Sequence, residues 1–384
     1  MKDMKNTHLH IFFITFLLIF SSNKPVFAQY NFNHGPYLQA LTENEVTVFF
    51  TTSAKGFSHI ELRQTENDSI TKHYTYIDGL IEANNTMNAI RLDNLLPNTE
   101  YEYRLVSKKT IWFQPYNIVF GKDIFSQWYR FKTLNPKAET CSFIAICDIH
   151  NDYKKYSNLL SYLPVEEVDM VFLLGDLVDH FQRPAQIYNG FIDVSVDKFA
   201  TGKPFVVVRG NHETRGVLAR ELGNYIYRPY YGLHIIGNTA IIILDSGEDK
   251  PDTDRAYAGI AAFDKYRKEQ AEWLKEIVKS EKYQQTKHKI VMLHIPPSIP
   301  QHQMGYAGDH VREIFMPILN YANINLMING HTHRHFIIEK EEQGNNFPIL
   351  INNAESASHI SIDNDGVHVK TVNINGEITL ERTF

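Results

Sequence analysis

A chain of 384 residues, 43% hydrophobic and 21% charged, has the composition of a globular protein with room for two domains and a sizeable core. Its formal net charge of −6 argues against a nucleic-acid partner, whose phosphates require a basic face. Two cysteines exclude a disulfide framework.

Residues 1–28 read as a secretory signal peptide. Lys2 and Lys5 supply a positive start, residues 11–20 a short apolar core, and Val26, Phe27 and Ala28 the small-residue cleavage region before Gln29. The apolar run is shorter than the roughly 20 residues a spanning helix needs. The expected product is therefore exported, secreted or periplasmic, with no membrane span once the signal is removed.

Residues 30–134 have an all-β texture. The run 46–52 is β-branched and aromatic, 74–77 and 89–92 are shorter candidates, and 101–106 alternates, a series that predicts a β-sandwich. The stretch 92–101, ending in Tyr101, resembles the turn and buried tyrosine that close one corner of fibronectin type III domains, and 128–133 resembles their last strand. His34, His59 and His73 are isolated and read as solvated or packed. Residues 134–138 read as a linker.

Beyond the linker, residues 140–384 alternate strand and helix patterns. Five apolar runs end in chemistry-bearing side chains: 142–147 in Asp148 and His150; 171–174 in Gly175, Asp176 and Asp179; 204–208 in Asn211, His212 and Glu213; 289–293 in His294; 324–328 in His331 and His333. No packing rule demands polar donors at five strand ends, whereas ligand sites of α/β sheets lie at the carboxyl ends of strands. Helices are predicted over 151–163, 191–199, 263–280 and 311–321, the third burying Trp273. The strand 239–244 ends in Asp245, which lacks histidine partners and reads as structural. Strands at 360–362, 367–372 and 378–380 are expected to complete a second sheet. Cys141 and Cys147 share one strand, too far apart at about 3.3 Å per residue to bridge, and read as reduced.

Asp148, His150, Asp176, Asn211, His294, His331 and His333 are oxygen and nitrogen donors with no thiolate set. That inventory exceeds one four-coordinate structural zinc and suits two divalent first-row ions, zinc, iron or manganese. One carboxylate must then bridge ions about 3.5–4 Å apart, and Asp176 is placed to do so.

In this order the five motifs resemble the motif set of the calcineurin-like metallophosphoesterases. His34-Gly35-Pro36-Tyr37-Leu38-Gln39 and the sandwich behind it resemble the N-terminal domain of purple acid phosphatases and their bacterial relatives. The resemblance implies a fibronectin-like sandwich followed by an α/β domain of two packed mixed β-sheets flanked by helices. It also implies an exported phosphomonoesterase acting on a small-molecule phosphoester. Asp148, His150 and His333 would hold one ion, Asn211, His294 and His331 the other, with Asp176 shared. His212 matches the histidine that meets the phosphate or leaving group, and Asp179 the carboxylate that orients it. Glu213 would share that task or pair with a basic side chain.

Two departures bear on the chemistry. Purple acid phosphatases carry a tyrosine where Asp179 stands and lack the histidine at His150, so neither their colour nor a stable ferric ion is implied. Related phosphoprotein phosphatases place an arginine after the second aspartate, whereas here His180 follows, with Arg183 a substitute. His302, shortly after His294, is a further candidate substrate contact. Tyr225, Tyr227, Tyr230 and Tyr231 read as packing rather than a stacking platform. A phosphodiesterase or nucleotidase on the same ions is the alternative activity, and a surface binding protein with a structural metal site the alternative of another class.

Overall fold

Each of the five motif strands is buried on both sides, and the computed structural model gives the reason. It describes residues 29–67, 69–299, 303–342 and 344–384. Residues 1–28, where a signal peptide is expected, and His302 lie outside them.

The region after the linker holds two six-stranded sheets. One runs in the order Phe205–Val207, Met170–Leu173, Cys141–Ile146, Ser356–Ile362, Val367–Asn373, Ile378–Thr383; the first three are parallel and the rest antiparallel. The other runs Gly232–Ile236, Thr239–Ile243, His288–Met292, Leu326–Asn329, Ile349–Ile351, Phe336–Ile338, with the central four parallel. Alternation along each strand sends Phe143, Phe172, Ile241, Ile290 and Ile328 into one shared core. Their neighbours Ile144 and Ile146 pack under Tyr156, Leu159 and Phe191. Ile242, Val291 and Met327 pack under Leu274, Val311 and Phe315. Two sheets face each other with helices outside both, so the five motif strands have no wet face and their runs read as continuously apolar, whereas the edge strand Ile378–Thr383 is largely exposed.

The five motif strands divide between the sheets, three in the first and two in the second. The tail strands differ from expectation. They extend the first sheet, Cys141 pairing with Ile362, because Ser356–Ile362 lies antiparallel against the otherwise open side of Cys141–Ile146. Helices form at Tyr153–Ser161 and Phe263–Ile277. The predicted 311–321 helix is two pieces, Gly305–Ile314 and Met316–Leu319, since Pro317 offers no N–H to continue the first. Helical turns start at Pro184, earlier than expected, and reach Ala200. Asp245 is fully buried and pairs with Arg209 at 2.7 Å, a tie between the loops of the two sheets.

The N-terminal region is a seven-stranded antiparallel sheet. Its spine, Val46–Gln64, pairs with Asn85–Leu92 through its first half and with Glu100–Gln114 through its second. The register breaks between Thr51 and Gly56, which lets one strand bend from one partner to the other. Tyr101 is buried at the corner, its hydroxyl accepting from the Leu96 N–H at 2.9 Å. The contacts of this sheet with the body are specific. Tyr37 Oη donates to the Tyr225 carbonyl at 2.7 Å and Tyr103 Oη to that of Thr201 at 2.8 Å. His34, expected to be isolated, stacks on Tyr188 with centroids 3.8 Å apart and contacts Asp193 at 2.9 Å. Tyr225 packs edge-on against Phe181 and Tyr188, as the packing reading of the tyrosine-rich loop required.

Candidate metal centre

The loops after the first two motif strands zip together before any side chain is considered. Asp148 N–H donates to the Gly175 carbonyl (2.9 Å), His150 to that of Asp176 (3.0 Å) and Asn151 to that of Leu177 (2.9 Å). To point their side chains inward, Asp148, His150, Asp176, His331 and His333 adopt left-handed backbones, with φ of 54°, 50°, 51°, 73° and 53°. Such a conformation costs an L-residue about 1–2 kcal/mol, and strain of this kind gathers where a site demands it. Gly175, at φ 83°, has no room for a side chain: a Cβ would lie 2.6 Å from Gly210 N and 2.7 Å from His294 Nδ1.

Glu213 holds this arrangement from beneath. Its buried carboxylate accepts four backbone N–H groups, from Gly210 (2.8 Å), Asp176 (2.9 Å), Leu177 (2.7 Å) and Val178 (3.2 Å). Burial, with Asp176 nearby, pushes the Glu213 carboxyl up. This corrects the expectation that Glu213 helps orient His212 or pairs with a base. It pins the two loops that carry Asp176 and Asn211.

Two donor sets converge above it. Asp148, His150 and His333 each bring a ligand atom within 4.8 Å of the others, and so do Asp176, His294 and His331. Each carboxylate has one oxygen held and one turned to a histidine. Asp148 Oδ2 accepts the His331 N–H (3.0 Å) while Oδ1 lies 3.4 Å from His333 Nε2. Asp176 Oδ1 accepts the His212 N–H (3.0 Å) while Oδ2 lies 3.1 Å from His294 Nε2. The imidazoles are oriented from behind. His150 Nδ1 meets Asp179 Oδ1 at 3.0 Å and His294 Nδ1 donates to the Leu174 carbonyl at 2.6 Å, which leaves both Nε2 atoms as inward lone pairs.

These residues fit metal ions. Asp148 Oδ1, Asn211 Oδ1 and His294 Nε2 are buried and unsatisfied by hydrogen bonding, and His150 Nε2 faces His333 Nε2 at 3.3 Å. Buried acceptors left without protein donors and aimed at common points are what a cation would complete. With protons in place of cations the charges are poorly shared. Burial pushes the His331 imidazole down to about 4, helped by His294, whereas at His294 burial is overcome by Asp176, Asp148 and the Leu174 carbonyl together, which hold the ring up at about 10.

His212 stands at the edge of the first set, its ring T-shaped against His150 at 4.8 Å. Its surroundings differ from the expectation. His212 Nδ1 donates to the Asp179 backbone carbonyl at 2.8 Å, and the Asp179 carboxylate serves His150 instead. His212 Nε2 lies 3.0 Å from Arg215 Nη1, and Arg215 is in turn clamped by Glu248 at 2.7 and 2.9 Å. Arg215 is the arginine that the motif reading missed, although it stands three residues after His212 in the same turn. Arg183 is exposed, and its backbone N–H donates to Gln186 Oε1 at 2.9 Å; among the described residues its side chain touches neither donor set. A cleft of about 710 Å³ opens beside His331, with Lys250, Tyr306 and Arg334 in its walls. A second, of about 460 Å³, reaches Arg215 and shares Lys250.

Comparison with known proteins places this geometry. The family model for calcineurin-like phosphoesterase matches residues 142–335, the span that contains every donor. A probable cyclic nucleotide phosphodiesterase of Psychrobacter arcticus is 25% identical over 216 residues, covering 51% of this chain and 67% of that protein. Among solved structures, a purple acid phosphatase from yellow lupin (Lupinus luteus) seeds superposes over 91% of this chain and 73% of its own, with a TM-score of 0.65 at 14% identity. PhoD does so over 92% and 94%, with a TM-score of 0.61 at 13% identity. At these identities the two structures establish likeness of fold.

Proposed function

The chain belongs to the calcineurin-like phosphoesterases, metal-dependent phosphoric ester hydrolases, and from that premise we propose that it is an exported phosphomonoesterase working with two metal ions. The observation that carries this reading is the convergence of two donor sets beside the His212–Arg215 pair. Asp148, His150 and His333 would hold one ion and Asn211, His294 and His331 the other, with Asp176 between them. When bound, such ions supply Lewis acidity toward the phosphoryl oxygens and lower the pKa of the attacking water. Zinc, iron and manganese all suit imidazole and carboxylate donors.

The chain's own groups do the rest. Arg215 Nη1 and His212 Nε2 point at one another from a part-exposed edge, so a phosphate oxygen entering between them takes a hydrogen bond from Arg215, and one from His212 once Nε2 carries a proton. The Glu248 clamp holds the guanidinium in place and keeps it from folding onto the carboxylates of the donor sets. As an imidazolium, His212 is fixed at Nδ1 by the Asp179 carbonyl and carries on Nε2 the proton it hands to the leaving alkoxide oxygen, becoming neutral as the alcohol departs. Lys250 and Arg334, in the adjoining cleft, favour the dianionic charge of a monoester. The charged and apolar pattern of residues 1–28, read as an export signal, is what supports action outside the cytoplasm.

A second reading, a phosphodiesterase, is favoured by the likeness to the probable cyclic nucleotide phosphodiesterase of Psychrobacter and by two clefts with room for two ester substituents. Turnover of p-nitrophenyl phosphate and of bis(p-nitrophenyl) phosphate by zinc- or manganese-loaded protein separates them. The monoester is expected to be cleaved with the higher kcat/KM. The reverse order would establish the diesterase, and no turnover of either would defeat both.

A further inference from the structure

The hairpin of Glu100–Gln114 and Asn117–Phe125 outruns the sheet that carries it. Its first strand pairs with Val46–Gln64 only as far as Lys109, opposite Gly56. Beyond that point the hairpin is a two-stranded ribbon, closed by the pairs Trp112–Val119, Phe113–Ile118 and Gln114–Asn117. All of residues 111–119 are exposed. Since side chains alternate across a strand, both faces of the ribbon are open.

These open positions are filled by Ile111, Trp112, Phe113, Tyr116, Ile118 and Val119, with Ile111 58% and Trp112 52% exposed. An exposed strand pair ordinarily keeps a polar face or a charge to prevent association; residues 111–119 carry no charge, and their polar side chains are confined to Gln114 and Asn117 beside the turn and the Tyr116 hydroxyl. The charge begins one step back. Lys108 and Lys109 lie on one strand and Lys122 on the other; Asp123 offsets Lys108 at 3.5 Å, and the collar stays net positive. Rings then continue sideways. Phe120 packs on Phe57 (5.3 Å), Phe57 on Tyr74 (5.8 Å) and Tyr74 on Tyr76 (6.3 Å), which begins a small second hairpin with exposed Ile77 and Leu80. Asp78 in the turn of that hairpin gives it a polar crest.

We propose that the 111–119 ribbon seats the protein on a lipid bilayer bearing anionic headgroups. A protein partner would have to enclose the ribbon on both faces, whereas a bilayer interface surrounds whatever enters it. Tryptophan and tyrosine favour that interface. Four residues on the first strand and three on the second, at about 3.3 Å each, give the tip about 10–13 Å of reach, enough for the roughly 5–10 Å depth at which interfacial side chains settle. At that depth Lys109 and Lys122 lie level with the headgroup phosphates. The attachment is peripheral: among the described residues no helix is long and apolar enough to cross a membrane.

Co-sedimentation of the purified protein with phosphatidylglycerol-containing vesicles, against pure phosphatidylcholine vesicles, tests this. Wild-type protein is expected in the anionic pellet, with tryptophan emission quenched by brominated acyl chains. Partitioning should fall about tenfold in W112S/F113S and in K109E/K122E, with turnover of a soluble phosphoester unchanged. The quenching measurement keeps the test decisive even if a variant misfolds. Wild-type protein left in the supernatant would overturn the proposal, as would equal pelleting of folded variants. So would a lipid-free dimer abolished by W112S/F113S, which would make a second copy the occupant.

Discussion

Asp176→Asn is expected to lower kcat/KM toward phosphoesters by about a thousandfold, equivalent to about 4 kcal/mol of transition-state stabilisation. The substitution is nearly isosteric, and an amide oxygen can still accept the His212 N–H that Asp176 Oδ1 now accepts at 3.0 Å. What it removes is the negative charge of Oδ2, 3.1 Å from His294 Nε2, which two bound ions would share. A neutral amide is a poor bridge between cations, so bound metal should fall below two ions per chain while circular dichroism stays that of the folded protein. Activity and metal content are measured on the same preparation. An Asp176→Asn protein with full activity and two ions would remove Asp176 from the shared position.

Glu213→Ala should be the most destabilising single change in the site, though Glu213 is not among the proposed ligands. Truncation strands four buried N–H groups that the carboxylate now satisfies. At about 1–3 kcal/mol for each unsatisfied buried group, partly relieved by entering water, the loss is about 4 kcal/mol or more. For a chain of this size that is a fall of about 5 °C in melting temperature. Calorimetry on metal-free protein isolates this effect from metal linkage. Glu213→Gln, which keeps one acceptor oxygen, should lose less. If Glu213→Ala melted within about 1 °C of the parent, the loops would be held by something other than this carboxylate.

What could be read in the sequence, and what could not, follows from the range of the forces involved. The strand-end motifs were legible because a doubly buried strand must be continuously apolar and its ligands must sit just past its end, both local rules. Asp148, His150 and His333 in one set, and Asp176, His294 and His331 in another, come together as those rules anticipate. The partners behind them were not legible. Nothing local says that the Asp179 carboxylate turns to His150 while its carbonyl takes His212, since both histidines lie about equally within reach of that loop. Glu213 reads as an acid beside a histidine, and only the folded loops reveal four N–H groups converging on it. Arg215 was hidden because its clamp, Glu248, lies 33 residues away on another loop. His34 looked isolated because its partners Tyr188 and Asp193 belong to the other region of the chain. The tail strands show the same limit. Their alternation predicts strands, but sheet membership is set by which side of Cys141–Ile146 is open.

The central claim is that two cations sit between these loops with Asp176 shared. Anomalous diffraction from crystals of the metal-loaded protein, collected at the absorption edge of the metal supplied, addresses it directly. The account predicts two peaks about 3.5–4 Å apart, one ringed by Asp148, His150 and His333, the other by Asn211, His294 and His331, with the Asp176 carboxylate touching both. A single peak, or two peaks with Asp176 bound to only one, would contradict it.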